Sequence, residues 1–402
     1  MPETSESGST TTGRYLVLLD EGSVAAGAQE MQRVAGLTAA STADSPTSEQ
    51  LAAADGLIFQ DLGVAVVTAV PDQVDRLVRA AEASGPIAVV EPERIVQAYI
   101  SLEVDGDVAE EGTDAVDESA FTWGLQATGA VKSEATGKGV RVAVLDTGFT
   151  TAHGDFAGRT VVTNSFITGE SVEDAHGHGT HCIGTSCGPR TPALGGPGYG
   201  IAHEAEIYAG KVLSNAGFGS DGGILAGIAW AVANGCAVVS MSLGAGVRPG
   251  TPYSQVFEQA AQRAIAKGTV IIAAAGNESG RPGRINPVGH PANCPTILAV
   301  GAVDVKRVVA DFSCGSVDPH GQVDLVGPGV DVLSSWNGSG GGAWTKRLRG
   351  TSMATPHVAG VAALIAQKHN ARGWELWARL AQSGLRLPVS SADVGGGLVQ
   401  AP

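Results

Sequence analysis

VRVAVLD, residues 140–146, is an apolar run, interrupted only by Arg141, that closes on an aspartate. A run of this kind, without the alternation of a half-solvated strand, fits a strand buried on both faces. Four further runs share its character: AEIYAGKVL (205–213), CAVVSMSL (236–243), TVIIAAAG (269–276) and TILAVGAV (296–303). Helical patterns lie between them. One has Asp221 near its start, Ile224, Leu225, Ile228 and Val232 on one face, and Gly235 after it; another has Thr251 and Pro252 at its start and Gly268 at its end. Buried strands alternating with helices define an α/β fold, a parallel sheet with helices on both faces. Chemistry in such sheets gathers beyond the carboxyl ends of the strands. The first run ends at Asp146, Thr147 and Gly148, and the fourth at Gly276 and Asn277. Each polar residue there is either a turn-former or a held functional group.

Upstream, residues 14–99 carry a separate pattern. RYLVLLD (14–20) and LIFQDLGVAVVTAV (57–70) read as strands, PDQVDRLVRAAEAS (71–84) as a helix opened by proline, and PIAVVEPERIVQAY (86–99) as a closing strand. They predict a small α+β domain over 14–100, behind a disordered tail at 1–13. SLEVDGDVAEEGTDAVDESA (101–120) is acidic and patternless, as a solvated linker is, and a larger domain fills 121–402.

The chain has 402 residues, 25 Lys and Arg against 40 Asp and Glu, and a formal charge of −15, which argues against nucleic acid or an anionic membrane as partner. No run of about eighteen apolar residues occurs, so a soluble protein is expected, and the oligomeric expectation is a monomer. MPETSESGSTTTG at the start lacks the basic and apolar regions of a signal peptide. The chain as written is therefore expected in the cytosol, or secreted if a leader was trimmed or export is non-classical. Five scattered cysteines (Cys182, Cys187, Cys236, Cys294, Cys314) contain no C-x-x-C pair, so reduced thiols are expected, with one bridge left open.

In LRGTSMATPHVAGVAALIAQ (348–367), Val358, Val361, Ala362, Leu364 and Ile365 recur at helical spacing, and Pro356 supports a helix start at 350–353, within about a turn of itself. Ser352 then stands where free N–H groups and the positive end of the helix dipole converge. It is an N-cap or a nucleophile. DAHGHGTHCIGTSCG (174–188) supplies His176, His178 and His181. HExxH is absent and no carboxylate is in register, which disfavours zinc. The glycines around His178 suggest a tight turn entering a helix, with His181 one turn on, packed or capping. A hydroxyl nucleophile needs a base and a carboxylate to orient that base, and Ser352, His178 and Asp146 provide this set. The Ser352 N–H and the Asn277 amide would supply donors for an oxyanion.

The chain order Asp146, His178, Ser352 differs from the Ser, acid, His order of α/β-hydrolases. With VAVLDTG (142–148), HGHGTHCIG (176–184), SMSLG (240–244), AAAGN (273–277) and GTSMATPHVAG (350–360), the chain resembles the subtilisin-like serine proteases from about Trp123 to near 401. GTHC (179–182) is most similar to the thiol-bearing, proteinase K-like members, which implies that Cys182 lies beneath His178. The resemblance implies that Ser242, Leu243 and Gly244, with Ala274, Ala275 and Gly276, wall the pocket for the residue before the cut, and that Gly289 forms its floor. It makes Gly217, Phe218 and Gly219 an edge that pairs with substrate as an added strand. Broad specificity favouring large apolar residues follows, with Glu278 adding tolerance for a basic one. Arg349 stands where many relatives have serine.

The resemblance implies no cofactor for chemistry. Structural calcium is expected at Asp324 with carbonyls at Pro295 and Ile297, whereas the region of Asp155 lacks further ligands in 187–200. The N-terminal domain resembles the ferredoxin-like subtilase propeptide, an intramolecular inhibitor whose tail ERIVQAY (93–99) occupies the cleft. The implied protein is a serine endopeptidase made as a self-inhibited precursor, cutting protein and peptide substrates. Rival readings are a peptide ligase or macrocyclase using the same acyl-enzyme, and a peptide-binding pseudoprotease.

Overall fold

The computed structural model describes residues 11–20, 22–44, 50, 54–99 and 116–402. Arg141–Asp146 is an inner strand, fifth of seven, in a sheet whose neighbours are all parallel. In spatial order the strands are Leu325–Pro328, Leu298–Val303, Val270–Ala274, Val238–Met241, Arg141–Asp146, Glu206–Lys211 and Val161–Ser165. Successive side chains of a strand point to opposite faces, and here both faces are covered. Val142 and Val144 enter one apolar core with Val358, Val361, Ala362 and Ile365 of the helix Thr351–His369. Ala143 and Leu145 enter another with Ile224, Leu225 and Ile228 of Asp221–Ala233 and with Val256 and Phe257 of Gln255–Ala266. The fold is α/β, a parallel sheet with helices on both faces, as the apolar runs imply.

The N-terminal strands form their own sheet, in the order Ile87–Ala98, Thr11–Leu19, Val64–Thr68, Gly56–Phe59, Ala39–Ser41. It is mixed, since the short last strand runs parallel to its neighbour while the others are antiparallel. Val17, Leu19, Ala65 and Val67 pack under two helices, Val24–Ala35 and Pro71–Glu82, with Met31 and Leu77. The alternate residues Leu16, Leu18, Val64 and Val66 face outward into the core of the larger unit, against the helices that start at Asp221 and Gln255.

Several boundaries depart from the sequence expectation. The first strand begins at Thr11, inside the expected 1–13 tail, because Thr12 Oγ1 bonds the buried Glu93 carboxylate. Of the expected linker, 101–115 lies outside the described residues. Within 116–120, Glu118 pairs with Arg347 (2.6 Å) and accepts the Trp123 N–H (2.6 Å), so that end is tied to the larger unit. The helix expected from Thr251 starts at Gln255, where Ser254 Oγ accepts the Phe257 N–H. Gly350 is the N-cap of Thr351–His369, which puts Pro356 in the second turn, beyond the first-turn positions where a missing N–H costs nothing. All five cysteines are free and buried. No helix among the described residues is long and apolar enough to cross a membrane.

Candidate active site

Asp146 closes the strand Arg141–Asp146, fully buried, with Oδ1 accepting from its neighbour Thr147 N–H (2.7 Å) and from His178 Nδ1 (2.7 Å). His178 opens the helix His178–Cys187. The turn before it needs glycine: Gly177 has φ +98°, and a Cβ there would stand 2.7 Å from the Trp336 ring. The helix start is fixed by a residue that the sequence reading passed over. Asp174 accepts from Gly177 N (2.8 Å), Thr180 N (2.8 Å), Thr180 Oγ1 (2.7 Å) and Thr147 Oγ1 (2.9 Å), while Thr147 Oγ1 accepts from Gly179 N (2.8 Å). One carboxylate thus caps the histidine helix and binds it to the strand that carries Asp146. Its position opening DAHGH was the available signal.

Burial opposes charge on His178, but the facing Asp146 carboxylate outweighs it and holds the imidazole well above its ordinary value. His178 Nε2 is buried with no partner among the described residues. His181 bonds Val332 O (3.1 Å) and Lys346 O (3.0 Å) through Nε2, and burial lowers it to about 3. It is a packed, neutral residue. Cys182 Sγ lies 4.0 Å from His178 Nδ1 and 3.6 Å from the Ser352 carbonyl, so the thiol sits beneath the histidine. Asp146, His178 and Cys182 are close enough together to ligate a metal. Burial raises the thiol, however, and the other two already hold each other, a set unsuited to zinc.

Ser352 is fully buried in the first turn of its helix, and its hydroxyl is directed at Tyr99 O (2.9 Å) and Ser242 O (3.0 Å). Asn277 Nδ2 donates to the same Tyr99 oxygen (2.9 Å). The amide cannot be turned over: Thr351 N–H and Oγ1 both donate to Asn277 Oδ1 (2.9 and 2.8 Å), leaving only Nδ2 for a carbonyl. Thr351 therefore orients the amide, a role the sequence reading missed although the residue stands inside G-T-S-M-A.

The N-terminal strand Ile87–Ala98 runs into this cleft between two edges. Ile95, Val96 and Gln97 pair antiparallel with Ser220, Gly219 and Phe218, and Gln97 and Ala98 pair antiparallel with Gly244 and Leu243. Ala98 N–H also donates to Gly217 O (3.0 Å), and Tyr99 N–H to Ser242 O (3.4 Å). Tyr99 is buried, its hydroxyl without a partner among the described residues. A Cβ on Gly289 would come within 2.4 Å of that hydroxyl oxygen and one on Gly244 within 2.7 Å, so two glycines make the room for the ring. Ala274 ends the strand Val270–Ala274 and Ala275 follows it, its carbonyl accepting the Gly289 N–H (2.8 Å). Gly276 lies against Glu278 and Cys314, where a Cβ would sit 2.5 Å from Glu278 Oε2 and 3.1 Å from Cys314 Sγ. Arg349 is drawn aside by Asp311 and lies over the Phe312 ring.

The two candidate calcium positions differ. Asp155 accepts from Leu194 N (2.8 Å) and Tyr199 Oη (2.7 Å), so donors face its carboxylate and a cation does not fit. Asp324 receives the Ala299 N–H (2.8 Å) and is raised by burial to about 7. It lines a cavity of about 240 Å³ with Pro295 and with Asn293, whose Oδ1 is buried and has no partner among the described residues. Ile297 is buried just before the strand Leu298–Val303. An under-satisfied carboxylate and amide oxygen fit a hard cation.

Residues 137–385 match the profile of the subtilase family. Subtilisin DY of Bacillus licheniformis is 41% identical over 236 residues, 58% of this chain and 78% of that protein. Subtilisin-like protease 2 of Pseudogymnoascus destructans is 38% identical over 276 residues, 66% of this chain and 62% of that one. Subtilisin E of Bacillus subtilis is 40% identical over 236 residues, and the match spans 57% of its length. The crystal structure of a cold adapted subtilisin-like serine proteinase superposes with a TM-score of 0.59 at 31% identity, covering 71% of this chain and 99% of that one.

Proposed function

This chain belongs to the subtilase family of serine proteases, and we propose that it is an endopeptidase made as a self-inhibited precursor, with Ser352 as nucleophile, His178 as base, Asp146 as its orienting carboxylate and Asn277 as oxyanion donor. One observation carries the reading. The carbonyl oxygen of Tyr99 receives both the Asn277 amide (2.9 Å) and the Ser352 hydroxyl (2.9 Å), while the Tyr99 ring fills a glycine-lined pocket. That is the pose of the residue before a scissile bond.

In the reaction, Ser352 Oγ attacks the carbonyl carbon and His178 Nε2 takes its proton. Asp146 Oδ1 accepts from Nδ1 throughout, keeping Nε2 free as the base. Negative charge develops on the carbonyl oxygen, where Asn277 Nδ2 already points and where the N–H groups at the helix start add their dipole. The same histidine returns the proton to the leaving amine, and water then releases the acyl group. Strand pairing along Gly217–Gly219 and Leu243–Gly244 binds substrate by its backbone. The pocket of Gly244, Ala274, Ala275, Gly276 and Gly289 admits a large side chain, so aromatic and other large apolar residues are favoured before the cut. Glu278 adds a carboxylate beside it.

The N-terminal unit, expected over 14–100 and with its first strand from Thr11, is then the propeptide-like inhibitor, 121–402 the catalytic domain, and the bond to be cut lies after Tyr99. Carboxylates of the inhibitor satisfy helix starts on the catalytic side. Glu91 accepts from Ser254 Oγ (2.6 Å) and Gln255 N (2.8 Å), and Glu93 from Gly222 N (2.9 Å). A calcium ion held by Asp324 with the Pro295 and Ile297 carbonyls would supply structural charge compensation only.

The test is mass spectrometry of a peptide with a free amino terminus and an internal tyrosine, incubated with the protein. Two linear fragments that together have gained one water support hydrolysis; a cyclised product without that gain would make the protein a ligase, and an intact peptide a pseudoprotease. Ser352→Ala should leave the peptide whole.

A further inference from the structure

Pro356 has no N–H, so the carbonyl of Ser352, four residues earlier, lacks its partner in the helix. This carbonyl belongs to a fully buried residue, where an unmet acceptor is costly. Two side chains from other elements meet it: Ser242 Oγ donates at 2.8 Å and Cys182 Sγ at 3.6 Å. The carbonyls on either side also take side-chain donors, Thr351 O from Thr355 Oγ1 (2.9 Å) and Met353 O from His357 Nδ1 (2.8 Å). Those two donors sit on the same helix. Only the Ser352 carbonyl is tied to a different part of the molecule.

We propose that the Ser242 hydroxyl is a positioning group for catalysis: it replaces the helix hydrogen bond that Pro356 deletes and so fixes the backbone from which Ser352 Oγ projects. The Cys182 thiol is the weaker second donor to the same oxygen. Ser242 holds the nucleophile from both ends, because its own carbonyl accepts the Ser352 hydroxyl (3.0 Å). It also follows the strand Val238–Met241 and precedes Leu243, whose backbone pairs with the bound tail, so the same residue relates the nucleophile to the cleft edge that holds a substrate backbone. A hydroxyl placed within a few tenths of an ångström is what an attack geometry requires, and small misplacements are expensive in rate.

The inference rests on Ser352 being the nucleophile. It predicts coupling between two residues that do not follow one another in the chain. The restored N–H of Pro356→Ala can serve the Ser352 carbonyl, so the Ser242 hydroxyl should matter less there. Steady-state hydrolysis of a tyrosine-containing peptide, measured on the full chain after any lag has passed, gives kcat and KM for the four proteins of a double-mutant cycle. Ser242→Ala is expected to lower kcat about tenfold in the parent with KM changed less than about twofold, and to cost about twofold or less in the Pro356→Ala background. Thermal unfolding of each variant reports whether it has folded. Should Ser242→Ala not fold, Ser242→Cys keeps a weaker donor of similar shape, and its loss of kcat should likewise shrink in the Pro356→Ala background. An equal loss of kcat in both backgrounds, or none in the parent, overturns the proposal. Turnover by Ser352→Ala would instead overturn the nucleophile assignment, so the two failures are distinguishable.

Discussion

Asn277 has one job available to it, since Thr351 occupies its oxygen and leaves the amide nitrogen facing the carbonyl of Tyr99. Removing that donor by Asn277→Ala should lower kcat by about two to three orders of magnitude with little change in KM, the scale of one oxyanion donor. Ser352→Ala should abolish turnover while the thermal unfolding curve stays close to that of the parent, because the hydroxyl carries little packing. The pH dependence follows from His178. Catalysis needs its neutral form, and Asp146 raises its proton affinity, so activity is lost as pH falls through a value above the ordinary histidine figure of about 6.5. A kcat/KM profile whose acid limb falls instead at or below about pH 5.5 would contradict a base paired with Asp146. Cys182→Ser should remain active, since the thiol lies beneath the imidazole and the proposed nucleophile is Ser352.

Helix starts are where the N-terminal unit grips the larger one. Glu91 at the start of Gln255–Ala266 and Glu93 at the start of Asp221–Ala233 act as caps supplied from outside the helix. Caps are worth about 0.5–2 kcal/mol, so Glu91→Ala should shorten the lag before full activity and weaken inhibition by the released unit roughly two- to thirtyfold in a titration of inhibitor. An unchanged inhibition constant would remove the cap from the account. These elements were unequally legible in the sequence. The inner strands were plain because each is a mostly apolar run without alternation, and Asp146, His178, Ser352 and Asn277 could be singled out because each sits in a compact, distinctive context. The edge strand Val161–Ser165 was missed: VVTNS is short and half polar, as an edge permits. The helix Val24–Ala35 was missed because VAAGAQEMQRVA buries little beyond Gly27, Met31 and Ala35. Asp174 and Thr351 escaped notice because their roles are hydrogen bonds made across the chain, which no periodicity records.

At the scale of the whole molecule, two apolar cores share the parallel sheet and one of them continues into the N-terminal sheet. The cavity at Asp324 is lined by Asn293 and Pro295 and by none of Asp146, His178, Asn277 or Ser352, so added calcium should raise the melting temperature without changing kcat. Asp324→Asn should abolish that gain, and a calcium-induced shift that survives the substitution would place the ion elsewhere. The central claim is that the chain is poised to cut itself after Tyr99, whose carbonyl lies between Ser352 and Asn277. Terminal sequencing of the full-length protein during incubation tests it most directly. The account predicts a new amino terminus at Ile100 that appears with the onset of activity, later termini within 101–120, and a Ser352→Ala chain that persists whole. Peptide hydrolysis at full rate with no new terminus between residues 100 and 121 would contradict it.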